Sequence, residues 1–153
     1  MAGEHLIFVY GTLKEGFRNF HINRGRRVEG EFVTVVPHRL YIVGPYRLPW
    51  MLEGGQAPLA QPVFGQVFSV DDEALAEMDA LERIDEAGWY LRRRLALRLR
   101  DDVAAAQIET WVYFGSPEGL AEGGVHLGPL TGYTLAHQAL LPRELWATAA
   151  RRR

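Results

Sequence analysis

Only one long stretch of this 153-residue chain, residues 71–84, repeats its apolar side chains at helical spacing. The segments around it read as strands punctuated by glycine and proline: 6–10, 28–36 with Gly30 suited to a bulge, 40–43, 62–70, 89–99 and 107–114. Most of these strands follow one another through hairpin-type connections and not through helices, which excludes a doubly wound parallel sheet. The pattern predicts an α+β fold, a small mixed or antiparallel β-barrel with one main helix and short terminal helices.

The connecting segments are expected to carry little regular structure. Residues 17–27 read as a short helical or irregular link, 44–61 as a folded loop rich in proline and glycine, and 115–132 as an extended glycine-rich loop. Two short helices are expected near 132–140 and 142–149, with Pro142 suited to the first turn of the second. No repeat and no internal boundary is visible, so residues 1–153 read as a single domain, long enough to bury a real core.

Composition narrows the function. Without cysteine the chain has no disulfide, no thiolate metal site and no cysteine nucleophile. The five histidines show no metal-ligand spacing, and no metal or cofactor is expected. A net charge of −2, with arginine clusters only at 92–94 and 151–153, argues against a nucleic-acid partner; the first cluster reads as a solvated strand edge. No apolar run approaches the length of a membrane span, and the N-terminal run is too short for a signal core. A cytoplasmic protein with neither membrane nor nucleic-acid partner is expected. The segment 11–16 (GTLKEG) has the glycine spacing of a phosphate loop, but Phe17 and Arg18 stand where that loop requires Lys and Ser/Thr. Residues 115–119 (GSPEG) lack the residue that a nucleophile elbow places between glycine and serine.

Two features remain. Residues 6–14 (LIFVYGTLK) form a strand that ends abruptly at Tyr10-Gly11, where a tight turn exposes backbone N–H groups and small polar atoms. Lys14, in the same turn, is the only lysine beside sixteen arginines. Seventy residues later, the helix 71–84 is capped by Asp71 and carries Asp72 and Glu73 in its first turn. At about 100° per residue, Ala74, Leu75, Met78 and Leu81 fall in one arc. Asp72, Glu73, Glu77, Asp79 and Arg83 fall outside it. Glu82 falls inside. An inward carboxylate costs several kcal/mol, of the order of magnitude of any buried unpaired charge, unless it is paired, hydrogen-bonded or protonated. Two readings follow: a buried salt bridge, for instance to an arginine of 92–94, or a carboxylate lining a cavity, its proton affinity raised by desolvation and suited to proton transfer.

Residues 8–14 (FVYGTLK), Pro49-Trp50, residues 63–71 (VFGQVFSVD), residues 79–82 (DALE) and Tyr90, in this order and spacing, resemble the gamma-glutamylcyclotransferase-like proteins, and among them most closely the gamma-glutamylamine cyclotransferases. The resemblance covers roughly residues 6–114. It implies a small mixed barrel with a pocket between the glycine turn and the helix end. It implies a reaction too, in which the α-amine of a small-molecule γ-glutamyl substrate attacks its own γ-carbonyl and releases 5-oxoproline and an amine. By position, Glu82 would be the general acid/base, and Tyr10, Gly11, Thr12 and Leu13 the loop that holds the glutamyl group. Trp50, Tyr90 and Tyr113 are candidate pocket walls, with core aromatics as the alternative for each. A catalytically idle ligand-binding or scaffold protein of the same fold is the alternative function.

Overall fold

A computed structural model describes residues 3–54 and 57–147. It opens with β1 (His5–Val9), a 3-10 turn (Phe20–Ile22), β2 (Arg26–Thr34), β3 (Arg39–Val43), β4 (Leu48–Leu52) and β5 (Phe64–Val70). The helix α1 (Asp72–Leu81) leads into β6 (Tyr90–Leu99) and β7 (Ile108–Gly115). Then come α2 (Pro117–Gly123), β8 (Val125–Leu130), α3 (Leu135–Gln138) and a 3-10 turn (Arg143–Leu145).

Five strands close a barrel in the order β1-β5-β2-β6-β7. Four of its pairings are antiparallel; the closing one is parallel, with Ile7 opposite Trp111 and Phe8 opposite Val112. The mixed barrel expected from the strand pattern is present. Its β1 is buried on both faces, and the alternation of side chains along a strand divides the core accordingly. Ile7 and Val9 pack with Phe68, Leu75 and Met78 beneath α1, whereas Phe8 and Tyr10 pack with Val67, Val112 and Phe114 on the other side. The β2–β5 register shifts between Val28 and Phe32, around Gly30 at φ 108°, so the bulge stands where glycine tolerates it.

Two expectations fail. The segment 44–61 is not a loop throughout, because it holds β4, which pairs with β3. Proline at 49 masked it, yet β4 is an edge strand of a three-stranded sheet, order β4-β3-β8, where a missing N–H is tolerated. Nor is 115–132 an extended loop. It holds α2, started by Ser116 as N-cap accepting from the Gly119 N–H with Pro117 behind it, and then β8 on β3. Arg92, Arg93 and Arg94 lie in the part of β6 that pairs with β7 alone, since β2 meets β6 only at Leu97, Arg98 and Leu99, and Arg93 and Arg94 are exposed, as a solvated strand edge requires.

Smaller differences concern helix ends. Asp71 caps α1 as expected, its carboxylate accepting from the Ala74 N–H at 2.8 Å, but the helix stops at Leu81. Arg83 adopts φ 53°, a left-handed position no helix continues through. Near the C-terminus the described residues form the short α3, then the 3-10 turn with Pro142 as its N-cap, and helical residues at 146–147. Residues 148–149 of the second expected helix and the arginines 151–153 lie outside the described residues.

Candidate active site

The end of β1 and the end of α1 meet at a narrow cavity. It is lined by Phe8, Val9, Tyr10, Gly11, Thr12, Leu13, Pro49, Glu82, Tyr90 and Tyr113, and measures about 300 Å³ with its open mouth included. Tyr10 to Leu13, Glu82, Tyr90 and Tyr113 are thus brought together around one cavity. Trp50 is not in this lining. It stands behind Tyr90, ring centroids 4.4 Å apart, and faces a second cavity bounded by Tyr46, Arg83, Trp89 and Glu122.

Glu82 is the C-cap of α1, and its residue is only 3% exposed. Its N–H donates to the Met78 carbonyl at 2.9 Å, and its own carbonyl accepts from the Tyr90 N–H at 3.4 Å. The left-handed turn at Arg83 and the connection through Gly88, at φ 84°, bring the chain back so that helix end and strand start face the cavity side by side. Of the arginines that sequence reasoning offered as partners for Glu82, Arg92 pairs with Asp79 at 2.9 Å and Arg94 approaches Glu109 at 3.8 Å.

The turn 11–14 is closed by the Lys14 N–H donating to the Gly11 carbonyl at 3.1 Å. Side chains missed by sequence reasoning hold it from outside. Asn19 donates to the Thr12 hydroxyl (2.9 Å), Asn23 to the Leu13 carbonyl (3.0 Å), and the Gln66 amide oxygen accepts from the Glu15 N–H (2.8 Å). Asn19 and Asn23 are buried, and two nearby buried amides after a glycine turn were the only available signal. Gly11 is tight for a spatial reason: a Cβ there would stand 2.5 Å from Pro49 Cγ.

Lys14 leaves the turn in the other direction. Its Nζ donates to the Tyr133 carbonyl and lies 4.3 Å over the Phe17 ring. Burial pulls its amine down to about 8, with Glu31 and Arg27 acting in opposite senses as smaller influences.

On the far wall, Tyr10 donates its hydroxyl to the Tyr113 carbonyl at 2.5 Å, and Tyr90 donates to the Pro49 carbonyl at 2.7 Å. The Tyr113 hydroxyl donates to Asp79 Oδ1 at 2.7 Å. Burial first, then the carboxylates of Asp79 and Glu82, hold the Tyr113 phenol in its protonated form well beyond the ordinary tyrosine range. Asp79, outside the apolar arc, is thus held between Tyr113 and Arg92. Among the described residues no three His, Asp or Glu side chains gather as metal ligands would. No described helix is long and apolar enough to cross a membrane.

A barrel with this turn and this buried glutamate matches the family model described as gamma-glutamyl cyclotransferase, AIG2-like, over residues 7–134. The chain belongs to that family. The gamma-glutamylaminecyclotransferase of Homo sapiens is 34% identical over 107 residues, 65% of this chain and 65% of that protein. Gamma-glutamylaminecyclotransferase B of Danio rerio is 32% identical over 109 residues, 68% of this chain and 55% of that protein. The chain therefore matches less than two thirds of the length of either relative. The crystal structure of an AIG2-like protein from Mus musculus superposes with a TM-score of 0.71 at 27% identity, covering 93% of this chain and 98% of that one. The family match ends at 134, so the contact that α3 makes with the segment after the glycine turn, Gln138 Oε1 accepting from the Arg18 N–H at 2.7 Å, reaches beyond it.

Proposed function

We propose that the protein is a γ-glutamylamine cyclotransferase: it cleaves a γ-glutamyl amide by attack of the substrate's own α-amine on its γ-carbonyl. The observation that carries this reading is the meeting of the buried Glu82 and the Tyr10–Leu13 turn in one narrow cavity. The names of the human and zebrafish relatives support the amine type.

In this reading, Glu82 takes a proton from the substrate α-ammonium. The amine nitrogen forms a bond to the γ-carbon, whose carbonyl electrons move onto oxygen. Collapse of that intermediate breaks the amide C–N bond as Glu82 returns the proton to the departing nitrogen, and the ring nitrogen gives up its second proton to the released amine, which leaves as an ammonium. The products are 5-oxoproline and a free amine, and atoms and charge balance without a nucleophile from the protein. Backbone N–H groups of the turn hold the substrate α-carboxylate or the developing oxyanion. Holding amine and carbonyl at ring-closing distance lowers the barrier by up to roughly 7–11 kcal/mol. That is why a site with one carboxylate and an otherwise apolar wall suffices.

The test is a panel of γ-glutamyl amides that differ in the amine: a lysine side-chain amide, a polyamine amide, and a γ-glutamyl dipeptide. The expected result is 5-oxoproline and free amine in equal amounts from at least one of them. Saturable binding with no turnover across the panel would favour the idle ligand-binding protein.

A further inference from the structure

Asp79 stands three residues before Glu82, and residues three apart on a helix are surface neighbours, about 5–6 Å between their Cβ atoms. The Tyr113 hydroxyl lies against Asp79, at 2.7 Å, and the Tyr113 side chain lines the same cavity as Glu82. A phenol has one proton to donate. Here that proton goes to Asp79 Oδ1, the oxygen that Arg92 Nε also approaches, at 2.9 Å. Arg92 is itself laid over the Trp111 ring at 4.3 Å, so the acceptor is fixed from behind. Both members of the Asp79–Arg92 pair are largely shielded, with side chains 18% and 23% exposed.

We propose that Asp79 is a positioning residue: it takes the only proton that the Tyr113 hydroxyl can donate and so withholds it from Glu82. A hydrogen bond donated to a carboxylate stabilises the ionised form and lowers its proton affinity. With its proton committed to Asp79, the Tyr113 hydroxyl does not lower the proton affinity of Glu82, which a residue cycling between acid and base near neutrality needs to keep high. The titratable and charged groups around the pair are Asp79 and Glu82 of α1 and its cap, Arg92 and Tyr90 of β6, and Tyr10 at the end of β1.

The importance of the effect for turnover rests on the proposed cyclotransferase reaction; the effect itself does not. It is read by NMR titration of the Glu82 side-chain carboxyl carbon, which needs no substrate. Three variants separate the hydroxyl from the mere charge of Asp79. Asp79→Asn removes the charge and keeps an acceptor for the phenol. Asp79→Ala removes both and frees the hydroxyl to turn toward Glu82. Tyr113→Phe removes the hydroxyl. The expected result is that Asp79→Ala lowers the Glu82 midpoint by about one to two pH units more than Asp79→Asn does. The excess is expected to vanish when Tyr113→Phe is added. Equal shifts in the two Asp79 variants, or an excess that survives in the double variant, would overturn the proposal. Tyr113→Phe alone, which leaves the Asp79–Arg92 pair intact, is an independent check should Asp79→Ala not fold. It should leave the Glu82 midpoint within a few tenths of a unit. A rise of a full unit would show that Tyr113 already donates to Glu82 and would also overturn it. If the cyclotransferase reading fails while these titrations behave as expected, only the catalytic use of the arrangement is lost.

Discussion

The Trp50 indole lies 4.4 Å from the Tyr90 ring, centroid to centroid, and its N–H donates to the Ser116 carbonyl at 2.9 Å. Trp50 therefore ties the start of α2 to a wall residue of the candidate cavity without lining that cavity. Two glycines make room for it. A Cβ on Gly115 would stand 2.2 Å from the indole, and one on Gly119 would stand 2.4 Å from the indole and 2.2 Å from the Gly88 carbonyl oxygen.

Gly119→Ala is expected to destabilise the fold by about 1–3 kcal/mol, as overpacking does, because a backbone carbonyl cannot swing away as a side-chain tip can. Trp50→Ala, which empties the cradle, should cost about 3–5 kcal/mol. Urea midpoints at fixed m-value measure both. A neutral Gly119→Ala would show that α2 does not pack on Trp50 as described.

Gly11 and Gly16 give opposite expectations although both belong to the same connection. Gly11→Ala meets the Pro49 ring, so the turn must move, and the KM for a γ-glutamyl amide should rise several-fold. Gly16 sits at φ 88° with open space around it, so Gly16→Ala should cost roughly 1 kcal/mol of stability and leave KM unchanged. Steady-state kinetics beside thermal melts separate the two; a KM change in Gly16→Ala alone would reverse the assignment.

Lys14 gives the pH dependence. Its folded-state amine, held down to about 8 by burial, lies below the ordinary lysine value of 10.5. Between these values the unfolded chain binds a proton that the folded chain does not, so stability rises with pH through that window. Tyr113, held protonated in the fold, opposes the rise above about pH 10, where an unfolded tyrosine ionises. Urea midpoints between pH 7.5 and 9.5 should therefore climb in the parent protein. Lys14→Met, which keeps the apolar stem, should flatten the climb, and parallel curves would show that Lys14 is not the titrating group.

How far the fold could be read in the sequence follows from which signals are local. The barrel strands β1, β2, β5, β6 and β7 announced themselves by β-rich or alternating runs, and α1 by its spacing and its Asp71 cap. Glu82 was legible because a helical arc needs only the helix. The partners of Asp79 were not, for the same reason: the arc ignores neighbours, and β6 and β7 bring Arg92 and Tyr113 against the flank that it calls outside. β4 is buried at all five positions and contains Pro49, so neither alternation nor composition marked it. In α2, Gly119 serves not to break a helix but to let it approach Trp50, which lies 66 residues away from its partner Ser116. Asn19, Asn23 and Gln66 carry no motif; their use depends on which backbone atoms of the turn the fold brings to them.

The proton-transfer role of Glu82 is tested most directly by one paired measurement. Parent and Glu82→Gln proteins are given the same γ-glutamyl amide, and 5-oxoproline is followed beside the thermal midpoint. The result expected is loss of 5-oxoproline formation by at least the roughly 10²–10⁴-fold that a general acid/base contributes, with a midpoint within a few degrees of the parent. A Glu82→Gln protein that folds and still turns over at near the parent rate would contradict it.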